Sequence, residues 1–178
     1  IAMGRVFQDA NCQRACHFPK MLETVTEMDG KLDRIQKALD AYLETKRMIL
    51  PRFYFLSNDD LLEILGQARD PEAVQKHLKK CFEGIKALEL TPPSKDKGQK
   101  NWEATGMVSP DTEKVKFSKT VLLEPPVEGW LIQVEKRMRE TLRKLLNVCH
   151  SANVLQGGKG MKKEKWVKEY PGQLLITS

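Results

Sequence analysis

Apolar residues recur at steps of three and four from Leu22 onward: Val25, Met28, Leu32, Ile35, Leu39, Tyr42 and Leu43 follow it. Such spacing gathers them on one side of a helix. The spacing predicts a helix over Met21–Ile49, a rod of roughly 43 Å at 1.5 Å per residue. Pro19 suits the first turn, where its missing N–H costs nothing. Gly30 is the weak point, about 1 kcal/mol worse than alanine. Pro51 ends the helix, because the residue before a proline is pushed out of helical geometry. Ser57 is the predicted N-cap of the next helix, with Asp59 and Asp60 complementing its dipole. Leu61, Leu62, Ile64 and Leu65 are its apolar face, and Gly66 its end. Asp70-Pro71-Glu72 marks a further start, with Val74, Leu78, Phe82, Ile85 and Leu88 as the buried stripe.

Between these helices lies the block Arg52, Phe53, Tyr54, Phe55 and Leu56. Three consecutive aromatics at a meeting point of helices are expected inside the core, each burying about 150 Å² or more. Phe55→Ala is accordingly expected to cost about 3 kcal/mol. Arg52–Leu56 is the candidate structural or contact joint of the chain.

Further along, Thr91–Asn101 is a polar, proline-containing loop. Alternation on both sides of Ser109-Pro110-Asp111-Thr112 predicts a β-hairpin over about 103–121, and Pro125-Pro126 closes it. Glu128–His150 is a second long helix, with Leu131, Val134, Met138, Leu142, Leu145 and Cys149 along one face. A glycine loop, Gln156–Gly160, precedes a short helix, Glu164–Tyr170, anchored by Trp166, Val167 and Tyr170. The expected fold class is mostly α: an elongated bundle of long antiparallel helices carrying one small β-hairpin insertion. Within one larger domain, residues 19–90 form a helical part, 91–126 a loop plus hairpin, and 127–178 a second helical part. The apolar Leu174, Leu175 and Ile176 lead to the expectation of more structure beyond Ser178.

Composition adds bounds. With 178 residues, 40% hydrophobic and 30% charged, the chain can bury a core without disulfide or metal. It has no apolar run near the roughly 20 residues that span a bilayer and no leader pattern, so an intracellular chain and no membrane partner are expected. Cys12, Cys16, Cys81 and Cys149 then read as free thiols. Cys12, Cys16 and His17 resemble half a zinc site, but the only second pair, Cys149-His150, diverges by about 100° on a helix. The net charge of +6 is concentrated: ten basic residues face three acidic ones between Lys136 and Tyr170. Arg137, Arg139, Arg143, Lys144, Lys162 and Lys163 form a candidate basic contact face for an acidic partner or nucleic acid; a solvated helix face is the plainer reading. Gly158-Lys159 lacks the Ser or Thr that a phosphate loop needs next, since Gly160 follows. His77 reads as solvated, and Asp59-Asp60 as helix-start charges. Neither a catalytic, a cofactor nor a metal site is expected, only a helical structural module.

Three stretches carry a resemblance: IQKALDAYLETKR (Ile35–Arg47), PRFYFLSNDDLLEILG (Pro51–Gly66) and VQKHLKKCF (Val74–Phe82). In order and spacing they resemble the linker region of dynein heavy chains. The resemblance continues more weakly through GMVSPDTEKVKF, WLIQVEKRM and WVKEYPGQ, covering about residues 19–178. YLETKR and LSNDD are closer to axonemal than to cytoplasmic chains, while the loop Thr91–Asn101 is longer than the family pattern. The resemblance implies a mostly helical lever that crosses a ring of AAA+ modules and passes its ATP-driven motion to the tail. It implies no cofactor in this segment, with ATP and magnesium in the ring of an ATP-hydrolysing microtubule motor. The implied partners are that ring, other dynein subunits and microtubules, and the implied location is the cytoskeleton of the ciliary or flagellar axoneme. The rival is a basic helical binding module that docks an acidic protein or nucleic acid.

Overall fold

In the computed structural model, residues 20–93, 101–153 and 161–172 are described. Cys12, Cys16 and His17, the loop glycines 157–160, and Leu174–Ile176 lie outside them. The chain divides into two compact units, Ile1–Thr45 and Lys46–Ser178. Helix α1 spans Met21–Ile49, as its spacing predicts. Its stripe is largely exposed up to Leu43, which is buried.

In the second unit, Leu50 is extended and Pro51–Phe55 forms one stretch of 3-10 helix. Helix α2 (Asn58–Gly66) starts at Ser57, whose Oγ accepts from the Asp60 N–H. Helix α3 (Pro71–Cys81) starts at Asp70, whose carboxylate accepts from the N–H groups of Glu72 and Ala73. Each cap satisfies backbone donors that the helix itself cannot. Strands β1 (Ala87–Thr91), β2 (Trp102–Val108) and β3 (Lys114–Leu123) follow. They are succeeded by helix α4 (Val127–Asn153) and the short α5 (Lys163–Glu169).

The three strands form one antiparallel sheet in the order β1-β2-β3. The β2–β3 turn closes with Ser109 N–H donating to Glu113 O at 2.9 Å and Thr112 N–H to Ser109 O at 3.1 Å. Thr112 sits there at φ 68°, a left-handed conformation that non-glycine residues seldom adopt. Both ladders shift register at one level, between Glu89 and Leu90 and between Ala104 and Gly106. Gly106 is required at this crowded point: a Cβ would lie 2.9 Å from Val115 O and 3.3 Å from Lys116 Cα.

Helix α4 packs on β3. Val127, Trp130, Leu131 and Val134 are buried, as are Phe117, Val121 and Leu123 of the strand. A buried Thr141 hydroxyl on α4 accepts from the Ser118 N–H of β3 at 3.0 Å. Helix α3 packs on β1 and on the 3-10 stretch.

This architecture overturns the expected bundle of long antiparallel helices with a single hairpin. The second unit is a mixed helical and three-stranded domain in which a long helix covers a sheet. The error lies at Ile85 and Leu88, read as the continuing stripe of a helix. Instead α3 stops at Cys81, Phe82 turns extended, and Leu88 enters β1. Two further readings are corrected. Tyr54 and Phe55 are 54% and 72% exposed, whereas Phe53 is fully buried. His77 is 5% exposed, not solvated.

Candidate functional site: the Arg52 joint and the basic face

A 3-10 helix repeats every three residues, so one residue in three shares a face. Leu50, Phe53 and Leu56 point inward and are at most 4% exposed. Tyr54 and Phe55 fall on the other two faces. Three adjacent aromatics therefore could not all be buried here.

Arg52 occupies one of those side faces and ties three elements together. Its guanidinium donates to Cys81 O at the end of α3, 3.0 Å away. It forms a two-pronged pair with Glu135 on α4, both prongs at 3.2 Å. Its Cζ also stands 4.6 Å from the centre of the Phe82 ring, a cation–π distance. Glu135 accepts a further pair from Arg139 at 2.7 Å. The two arginines, Arg52 first, hold the Glu135 carboxyl below its usual range. Arg47 secures the far side of the joint, donating to Leu56 O at 3.3 Å and Asn58 Oδ1 at 2.8 Å. Lys46 reaches the buried Glu128 at the start of α4 at 2.6 Å, where the helix dipole also favours a carboxylate.

Beside the joint, α2 and α3 are joined by charge. Lys80 pairs with Asp60 at 2.7 Å, and Lys76 pairs with Glu63. Between them His77 places Nδ1 3.3 Å from Asp60 and Nε2 3.2 Å from Glu63; the second contact is off-line for a hydrogen bond. The Lys80 hydrogen bond, then that of Ser57, pulls the Asp60 pKa down to about 2. Nothing in the sequence around His77 signals this cluster, because its partners come from another helix. Burial pushes the Cys81 thiol up to about 11, which leaves it protonated and a poor nucleophile.

The six predicted basic residues are not brought into one face. On α4, Arg137 and Lys144 are seven residues apart and share a ridge; Arg139 and Arg143, four apart, share another. Arg137 pairs with Glu140 at 2.5 Å and Arg139 with Glu135, so half of these α4 cations are compensated. Lys162 and Lys163 open α5, which is anchored by Trp166 donating to Cys149 O at 2.9 Å. Among the described residues, no group of three or more His, Cys, Asp or Glu side chains is arranged to hold a metal ion, and no helix is long and apolar enough to cross a membrane.

Ion pairs, caps and a clamped turn define a structural segment, in which polar side chains hold elements in place. The chain belongs to the dynein heavy chain family: the model of dynein heavy chain, N-terminal region 2, matches residues 1–149. Over 99% of its length it is 54% identical to dynein axonemal heavy chain 2 of Mus musculus. It is 51% identical, again over 99%, to the dynein-1-beta heavy chain of the flagellar inner arm I1 complex of Chlamydomonas reinhardtii. Dynein axonemal heavy chain 6 of Homo sapiens is 43% identical over 98% of the chain. The chain spans about 4% of the length of these relatives. The resemblance to axonemal heavy chains read from the sequence is thereby borne out.

Proposed function

We propose that this chain is a linker segment of an axonemal dynein heavy chain, a mechanical element that passes ATP-driven motion of the AAA+ ring toward the tail. One observation carries the reading: the Arg52 clamp fastens the turn after α1 to the end of α3 and to the side of α4. A segment that carries load needs its elements locked at their junctions, and a planar guanidinium with several fixed donors does this better than a flexible ammonium. Tyr54 and Phe55, turned outward from the same turn, are the surface this joint offers to the ring. ATP and magnesium act in the ring, outside these 178 residues. Microtubules and other dynein subunits are engaged through the rest of the heavy chain, in the axoneme of cilia or flagella.

The test is Arg52→Ala in the intact heavy chain. Microtubule-stimulated ATP hydrolysis is expected to persist while gliding velocity falls, with Arg52→Lys intermediate. Unchanged gliding with an Arg52→Ala chain would remove the joint from the path of force.

A further inference from the structure

The apolar stripe of α1 follows a strict alternation of three and four. Counting seven-residue repeats, Val25, Leu32 and Leu39 occupy the first position, a, and Met28, Ile35 and Tyr42 the fourth, d. These six are between 37% and 63% exposed. A repeat of 3.5 residues keeps one seam facing a neighbouring helix along its whole length. Of the adjoining e positions Leu22 is exposed and apolar, Asp29 and Gln36 are polar, and Leu43 is already buried, so the open seam is the a and d positions, with Leu22 at its start.

Its charge is one-sided. From Met21 to Thr45 the e and b positions carry Asp29, Asp33 and Asp40 and no basic residue; Arg47, the next b position, already donates to Leu56 O and Asn58 Oδ1. The opposite edge is mixed, and there Glu27 and Lys31 pair with each other at 2.7 Å. We propose that the a/d stripe of α1 is a docking seam for an amphipathic helix of the same heavy chain, outside these 178 residues, with basic residues along the Asp29–Asp33–Asp40 edge.

A second copy of the chain fits less well. In a parallel pair the flanking partners would be Thr24 with Asp29, Lys31 with Gln36 and Ala38 with Leu43, none of them oppositely charged. From Met21 to Thr45 six acidic residues stand against three basic ones, so two copies repel. The 96% of a relative's length that this chain leaves uncovered has ample room for the partner helix. The inference rests on family membership and stands apart from the lever reading, because its test reads burial and not motion.

That test is thiol labelling resolved by peptide, with Leu32→Cys at the seam and Lys37→Cys on the outer face as reference. In the intact heavy chain, Leu32→Cys is expected to label about tenfold more slowly than Lys37→Cys or less, as a docked site should. In the 178-residue chain the two should label alike, and the chain should sediment as a monomer. Ile35→Cys repeats the measurement should Leu32→Cys fail to fold. Asp33→Lys in the intact chain is expected to speed labelling at the seam. Equal labelling of seam and outer face in the heavy chain overturns the proposal. So does a dimer of the short chain with a protected seam, which would make a second copy the occupant. No response to Asp33→Lys overturns the basic edge.

Discussion

Phe53 and Phe55 are two positions apart and chemically identical, yet their environments are opposite. Phe53 is fully buried between Leu50 and Leu56 in the three-residue repeat, and Phe55 is 72% exposed. Phe53→Ala is expected to cost about 3–5 kcal/mol, and Phe55→Ala less than about 0.5 kcal/mol; urea unfolding of the two variants checks this. Asp60 gives a second expectation at this scale. Its folded pKa of about 2 lies below the ordinary 3.8, so its ionised form stabilises the fold at pH values above about 4. That contribution fades as pH falls from about 4 to 2. The stability gap between the parent chain and Asp60→Asn should therefore close over that interval in denaturation series; a constant gap would mean the charge is not used. Local chemistry made Ser57 and Asp70 legible as caps, since each needs only its own next three residues. His77 was not legible: its burial depends on Asp60 and Glu63, which only the packing of α2 on α3 brings near.

At the scale of elements, α1, α2, α3, α4 and the β2–β3 hairpin follow from periodicity and stop signals in the sequence. Strand β1 does not. Ala87–Thr91 is five residues long, too short for alternation to stand out, and its partner β2 lies across a polar loop. Its Leu88 also continued the spacing of α3, so a helix pattern absorbed it. The joint was legible as a place and as a set of residues, but its inward and outward sides were not, because they depend on a 3-10 repeat rather than on hydrophobicity. Gly106 marks where the strands crowd. Gly106→Ala would set a methyl against Val115 O, and is expected to cost about 1–3 kcal/mol, as overpacking does. The check is a lowered denaturation midpoint with an unchanged slope.

For the whole chain, the net charge of +6 leaves open a competing role as a basic docking module. The placement of the cations weighs against it. Arg137 and Arg139 are compensated by Glu140 and Glu135, which leaves Arg143 and Lys144 beside Glu140 at one hollow of α4 and Lys162 and Lys163 on another element. A gel-shift series with duplex DNA is expected to show only weak association for the 178-residue chain. Tight binding that falls steeply with salt would favour the docking module. The two kinks in the sheet have a consequence for a body under load. Glu89/Leu90 and Ala104/Gly106 interrupt their ladders at the same height, so either outer strand that slides past the middle one by a residue must break the fit at its own irregularity. Pulled lengthwise, the sheet is left two choices, to hold or to tear, and gradual creep is denied to it.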